Sequence, residues 1–113
     1  MTATEELRNV VREAGEHGVP VLMDFWAPWC GPCRALAPHL EALAREHGPK
    51  LLILKVDTDA HPDTARAYSV TALPTLVLFR DGLEVKRHVG AVGLKVLQEL
   101  VRTGVPTAHT DPL

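Results

Sequence analysis

Cys30 and Cys33 are the only thiols in the chain, separated by Gly31 and Pro32. At that spacing they cannot tie distant parts of the chain together, which leaves sulfur exchange, metal binding or an inert buried pair, the last disfavoured by a position at a helix start. They fall where an apolar run, Val19 to Trp26, gives way to a helical stripe that starts at Gly31. A Cys-x-x-Cys on such a strand-to-helix turn is a redox signature. A thiol at a helix N-terminus faces unpaired backbone N–H groups and the positive end of the macrodipole, and both favour thiolate. Thiolate is the attacking species in disulfide exchange. Cys30 is therefore the expected nucleophile, and Cys33, one turn inside the helix, the expected resolving residue. Pro32 suits a first helical turn, which needs no N–H from it, and stiffens the loop. Zinc is the rival use, but a structural zinc site wants a second pair or two spaced histidines. The chain has no second pair, and His17, His39, His47, His61, His88 and His109 show no H-x3-5-H spacing. No metal is expected.

Two charged residues near the pair carry further chemistry. Asp24 interrupts the apolar run Val21-Leu-Met-Asp-Phe-Trp26, where burial disfavours the carboxylate and raises its pKa. It reads as a general acid or base for Cys33, acting directly or through water while a mixed disulfide resolves. The alternative is a carboxylate that faces a polar edge or caps a backbone group. Lys55, in a second apolar run, reads either as the partner that moderates this charge or as a lysine that snorkels to the surface. Phe25 and Trp26 read as core, whereas Trp29, in the turn beside the nucleophile, reads as exposed at the site. Pro74 suits a strand start, and Gly90 either ends a strand or lets a partner backbone approach closely.

The elements that position these residues follow from periodicity. Leu7, Val10, Val11 and Ala14 mark a helix over 4–16, with Thr4 as its cap and Gly15 and Gly18 as its end. Val19 to Trp26 reads as a strand buried on both faces, and Leu51 to Val56 as a second. Between them Leu36, Leu40, Leu43 and Ala44 mark a helix to about Glu46, bent at Pro38. A short helix is expected at Pro62–Ala67 and a third strand at Thr75 to Phe79. An Asp81-Gly82 hairpin turn follows, then a half-exposed edge strand, Leu83 to Val89, and a last amphipathic helix through Leu94, Leu97, Leu100 and Val101. Strands joined by a helix imply a parallel pair, and the hairpin adds an antiparallel edge. The result is an α/β fold: a central mixed four-stranded sheet with helices on both faces.

The 113 residues fit one domain. Residues 1–103 are read as that domain and 104–113, rich in Pro and Thr, as a loose tail. With 46% apolar and 23% charged residues and a net charge of −2, the composition argues against disorder and against nucleic-acid binding. No apolar run approaches the ~18 residues that span a bilayer. The N-terminus shows no secretory signal.

The stretch Asp24-Phe-Trp-Ala-Pro-Trp-Cys-Gly-Pro-Cys33 resembles the active-site segment of thioredoxins. Pro38, Lys55-Val-Asp-Thr-Asp59, Leu73-Pro-Thr75, Phe79-Arg-Asp-Gly82 and Val89-Gly-Ala91 match the same family in order, over roughly residues 19–102. The resemblance implies the thioredoxin fold, here with the family's usual N-terminal first strand absent or short. It implies that Pro74 is a cis-proline packed against the cysteines, that the Leu73 backbone pairs with an extended substrate, and that Trp29, Gly31, Pro32, Leu73, Pro74, Gly90 and Ala91 form an apolar groove around Cys30. The implied activity is reduction of protein disulfides by a cytoplasmic monomer. The Gly-Pro dipeptide is similar to that of reducing thioredoxins, and electrons would come from an NADPH-dependent thioredoxin reductase. With no nucleotide fingerprint in the chain, no cofactor of its own is expected. A thioredoxin-fold binding or chaperone module, and a dedicated envelope thiol reductant, are the alternatives.

Overall fold

The computed structural model describes residues 1–103; the expected tail lies outside them. Helix α1 (Ala3–Glu16) starts two residues earlier than Thr4 as a cap suggests. Thr2 is the cap: its Oγ1 accepts the Glu5 N–H, and the Glu5 carboxylate accepts the Thr2 N–H, a reciprocal pair that satisfies two orphan donors. Thr4 instead shares a 2.7 Å hydroxyl–hydroxyl bond with buried Thr64 and ties α1 to α3 (Pro62–Ala67). Gly15, expected to end the helix, lies inside its last turn. A Cβ there would come within 2.5 Å of the Gly82 nitrogen, so its smallness lets α1 close on a hairpin turn.

The sheet has the strand order β2-β1-β3-β4, with β1 Val21–Trp26, β2 Leu52–Asp57, β3 Thr75–Arg80 and β4 Leu83–Val89. Strands β1 and β2 are parallel, while β3 is antiparallel to both β1 and β4. The β3–β4 turn places Asp81 and Gly82 at φ 55° and 79°, the doubly left-handed geometry that Asp-Gly tolerates.

Alternation along β1 sends successive side chains to opposite faces. Leu22 meets Leu36, Leu40 and Leu43 of α2 (Gly31–His47) and Leu97 and Val101 of α4 (Leu94–Thr103). Val21, Met23 and Phe25 meet Val11 of α1, with Leu7, Ala14 and Tyr68 packed alongside. Both faces are therefore covered by helices. Helix α2 runs unbroken through Pro38.

One expectation needs correction. Strand β2 is not buried on both faces: it has a strand neighbour on one side only, and Val56 is its only fully buried residue. Leu52, Leu54 and Val56 pack toward α1 and Ile53 toward α2, which accounts for the apolar run, but Lys55 is left exposed. Among the described residues no strand precedes α1, so the outer edge of β2 carries no partner strand.

Candidate active site

The last residue of β1 leads through a short turn into α2. The Cys30 N–H donates to the Ala27 carbonyl at 3.1 Å, and Cys30 then serves as the N-cap of α2. Its sulfur accepts the Cys33 N–H at 3.2 Å, the role that a Ser or Asp oxygen fills elsewhere. The two sulfurs are joined as a disulfide, with Cα atoms 5.3 Å apart. Residue exposure does not separate them, at 4% and 5%. Position does: Cys30 lies outside the first turn and takes a backbone N–H, while Cys33 lies inside it; both pack in one small cluster with Ala27, against Trp26 and Leu73. The first turn of α2 holds no acidic residue to offset the helix dipole at Cys30.

The rim is assembled from three further segments. Trp29 is 67% exposed, and its indole Nε1 donates to both carboxylate oxygens of Asp59 at 2.9 and 3.2 Å. Asp59 is in turn held by its own N–H, which donates to Asp57 at 2.9 Å. The Leu73–Pro74 peptide is cis, as the resemblance implies. Around it, the Thr75 hydroxyl donates to the Ala72 carbonyl at 2.6 Å and the Gly90 N–H donates to the Pro74 carbonyl at 2.8 Å. Gly90 stands at φ 106°, a conformation that favours glycine. Gly31, Pro32 and Ala91 are exposed, Leu73 half-buried and Pro74 buried. Beside this rim, an open pocket of about 280 Å³ lies between Trp29 and the 70–73 segment.

Asp24 shares the α2-facing side of β1 with Leu22. It is 2% exposed, and its Oδ1 has no hydrogen-bond partner. Burial pushes its carboxyl up to about 6, against the opposing charge of Lys55. Lys55 is its register neighbour on β2, yet among the described residues the two form no ion pair. The Lys55 Nζ instead lies over the Trp26 ring, 5.0 Å from its centroid. Lys55 reaches the surface, and its charge lowers the Asp24 pKa against the effect of burial.

Comparison with known proteins decides the family. The thioredoxin family model matches residues 1–103. The chain belongs to the thioredoxin family. Thioredoxin of Mycobacterium tuberculosis is 51% identical over 90 residues, covering 80% of this chain and 78% of the relative. The bifunctional thioredoxin reductase/thioredoxin of Mycobacterium leprae is 47% identical over 90 residues, 80% of this chain and 20% of that longer one. Among solved structures, oxidized mitochondrial thioredoxin 3 of Saccharomyces cerevisiae superposes with a TM-score of 0.77 at 35% identity, covering 87% of each chain. As a thioredoxin with its cysteine pair in place, the chain is a thiol–disulfide oxidoreductase that acts on disulfide substrates. No helix among the described residues is long and apolar enough to cross a membrane.

From sequence, Asp59 has no role beyond its place in a family match, and Arg34 none at all, yet both hold the turn before Cys30. Asp59 lies 30 residues from the Trp29 indole it holds, and no local spacing marks such a pairing. Arg34 donates through Nη1 to the Pro28 carbonyl at 2.9 Å and so braces the turn before Cys30. Its position in the first turn of α2, where a cation opposes the dipole, is the signal that could have drawn notice.

Proposed function

We propose that this protein reduces protein disulfides, with Cys30 attacking and Cys33 resolving. The observation that carries the reading is the Cys33 N–H donating to the Cys30 sulfur at the N-cap of α2, an arrangement that stabilises a thiolate at that atom and not at Cys33. The Cys30 thiolate attacks one sulfur of a substrate disulfide, forming a mixed disulfide and releasing the other substrate sulfur as thiolate. The Cys33 thiol gives its proton to Asp24, directly or through water, and attacks the Cys30 sulfur. The second substrate thiolate leaves, and the protein keeps the Cys30–Cys33 disulfide. Two electrons pass from the dithiol to the substrate. Lys55 keeps Asp24 ionisable near neutral pH, a task that favours a base with a pKa close to working pH.

Trp29, Gly31, Pro32, Leu73, Pro74, Gly90 and Ala91 form the substrate groove, with the Leu73 backbone pairing to an extended segment. The protein works as a cytoplasmic monomer, residues 1–103 acting as one domain. An NADPH-dependent thioredoxin reductase returns the dithiol; the Mycobacterium leprae relative, whose name joins both activities, supports that partner. The test couples the protein to NADPH, thioredoxin reductase and insulin and follows NADPH oxidation. Turnover that disappears in Cys30→Ser supports the proposal; absence of turnover with the unaltered protein contradicts it.

A further inference from the structure

We infer that Arg34 selects disulfides flanked by acidic residues, an inference that rests on the exchange reading above and names the substrate class of the same site. Helix α1 follows the usual rule, with Glu5 and Glu6 in its first turn. Helix α2 breaks it: the first turn carries no acid, and Arg34 follows Cys33 directly. A cation there works against the positive end of the helix, so helix stability does not account for it. No carboxylate pairs with Arg34 among the described residues. Its Nη1 is fixed on the Pro28 carbonyl at 2.9 Å, and its Nη2 lies 4.0 Å from where a Cβ on Gly31 would stand. The guanidinium is thereby held, exposed, against Pro28 and Gly31, which lie on either side of Cys30 in the chain.

The groove residues from Trp29 to Ala91 named above are all uncharged, so Arg34 and the helix dipole supply the positive potential on the α2 side of the rim. Asp59 accepts from the neutral Trp29 indole and keeps its negative charge, so it opposes Arg34 on the Trp29 side of the rim. A substrate segment with Glu or Asp beside its half-cystine finds a fixed guanidinium with free donors, whereas one with Lys or Arg meets a like charge.

The test uses three otherwise identical cyclic peptides, each closed by one disulfide flanked by Glu, Gln or Lys. Rates of reduction by the fully reduced protein are measured at low ionic strength. Flanking charge also alters the peptide's own reactivity, so the informative quantity is the Glu-to-Lys rate ratio of the unaltered protein divided by that of Arg34→Gln. We expect about tenfold, because attraction and repulsion at an exposed pair each contribute a few-fold. Arg34→Lys retains most of the ratio, and about 0.5 M salt removes most of it. A ratio unchanged in Arg34→Gln, with all three peptides still reduced, overturns the inference and leaves the exchange reading intact. Failure to reduce any of the three overturns both.

Discussion

Asp24 and Lys55 are Cα partners on the parallel strands β1 and β2, yet only Asp24 is buried. Strand β1 is central and covered by α2, whereas β2 is an edge strand that lets the lysine turn outward over Trp26. The carboxylate therefore feels a positive charge without being paired by it, and burial dominates its titration.

That imbalance fixes the sign of a pH effect. The folded protein holds the Asp24 proton up to about pH 6, whereas an unfolded carboxyl releases it near 3.8. The folded state thus binds more protons between these values, and this contribution to stability is full below about pH 4 and lost as pH rises through 6. The full penalty above that window is about 3 kcal/mol. Urea unfolding of the protein and of Asp24→Asn at pH 4 to 7 checks this. The variant should lose far less stability across the window; parallel profiles contradict the account.

Gly15 sets helix propensity against packing. Alanine in an unencumbered helix gains about 1 kcal/mol over glycine. Here its Cβ meets the backbone of Asp81 and Gly82 at 2.8 and 2.5 Å, and backbone cannot swing aside like a long side chain. Gly15→Ala should destabilise by about 2 kcal/mol, as overpacking does. A stabilised variant in thermal or urea unfolding shows that the α1–hairpin contact yields more easily than these distances allow.

The Asp59–Trp29 bond predicts a kinetic split. With Asp59→Ala the exposed indole loses the one hydrogen-bond partner it has among the described residues. The groove wall is then less ordered, while the cysteines and Asp24 are untouched. In insulin reduction KM should rise about threefold to tenfold with kcat changed less than twofold, in keeping with the loss of one charge-assisted bond. An equal fall in kcat places Asp59 in the chemistry instead.

The legible parts of this protein were those written in local pattern. The cysteine pair, the Asp81-Gly82 turn, the Pro62–Ala67 helix and the opposed faces of β1 all follow from spacing of neighbouring residues. Lys55 shows the limit: Leu51 to Val56 is apolar enough for a central strand, and only strand order reveals that one side has no partner. Thr2 displaced Thr4 as the cap because the box depends on a Glu three residues on, and Glu5 answers Thr2. The hold of Asp59 on Trp29 and the approach of Gly15 to Gly82 are tertiary contacts between distant segments, which no window of sequence contains. Only the family resemblance implies a cis Pro74, since a proline at a strand start also suits a trans bond.

The division of labour between the sulfurs is the central claim, and one trapping measurement tests it most directly. Reduced Cys33→Ser is mixed with insulin under non-reducing conditions, and the product is mapped by mass spectrometry. The account predicts a stable mixed disulfide at Cys30, because attack proceeds and nothing resolves it, whereas Cys30→Ser under the same conditions accumulates none. A mixed disulfide that accumulates at Cys33 in Cys30→Ser, with none at Cys30 in Cys33→Ser, contradicts it.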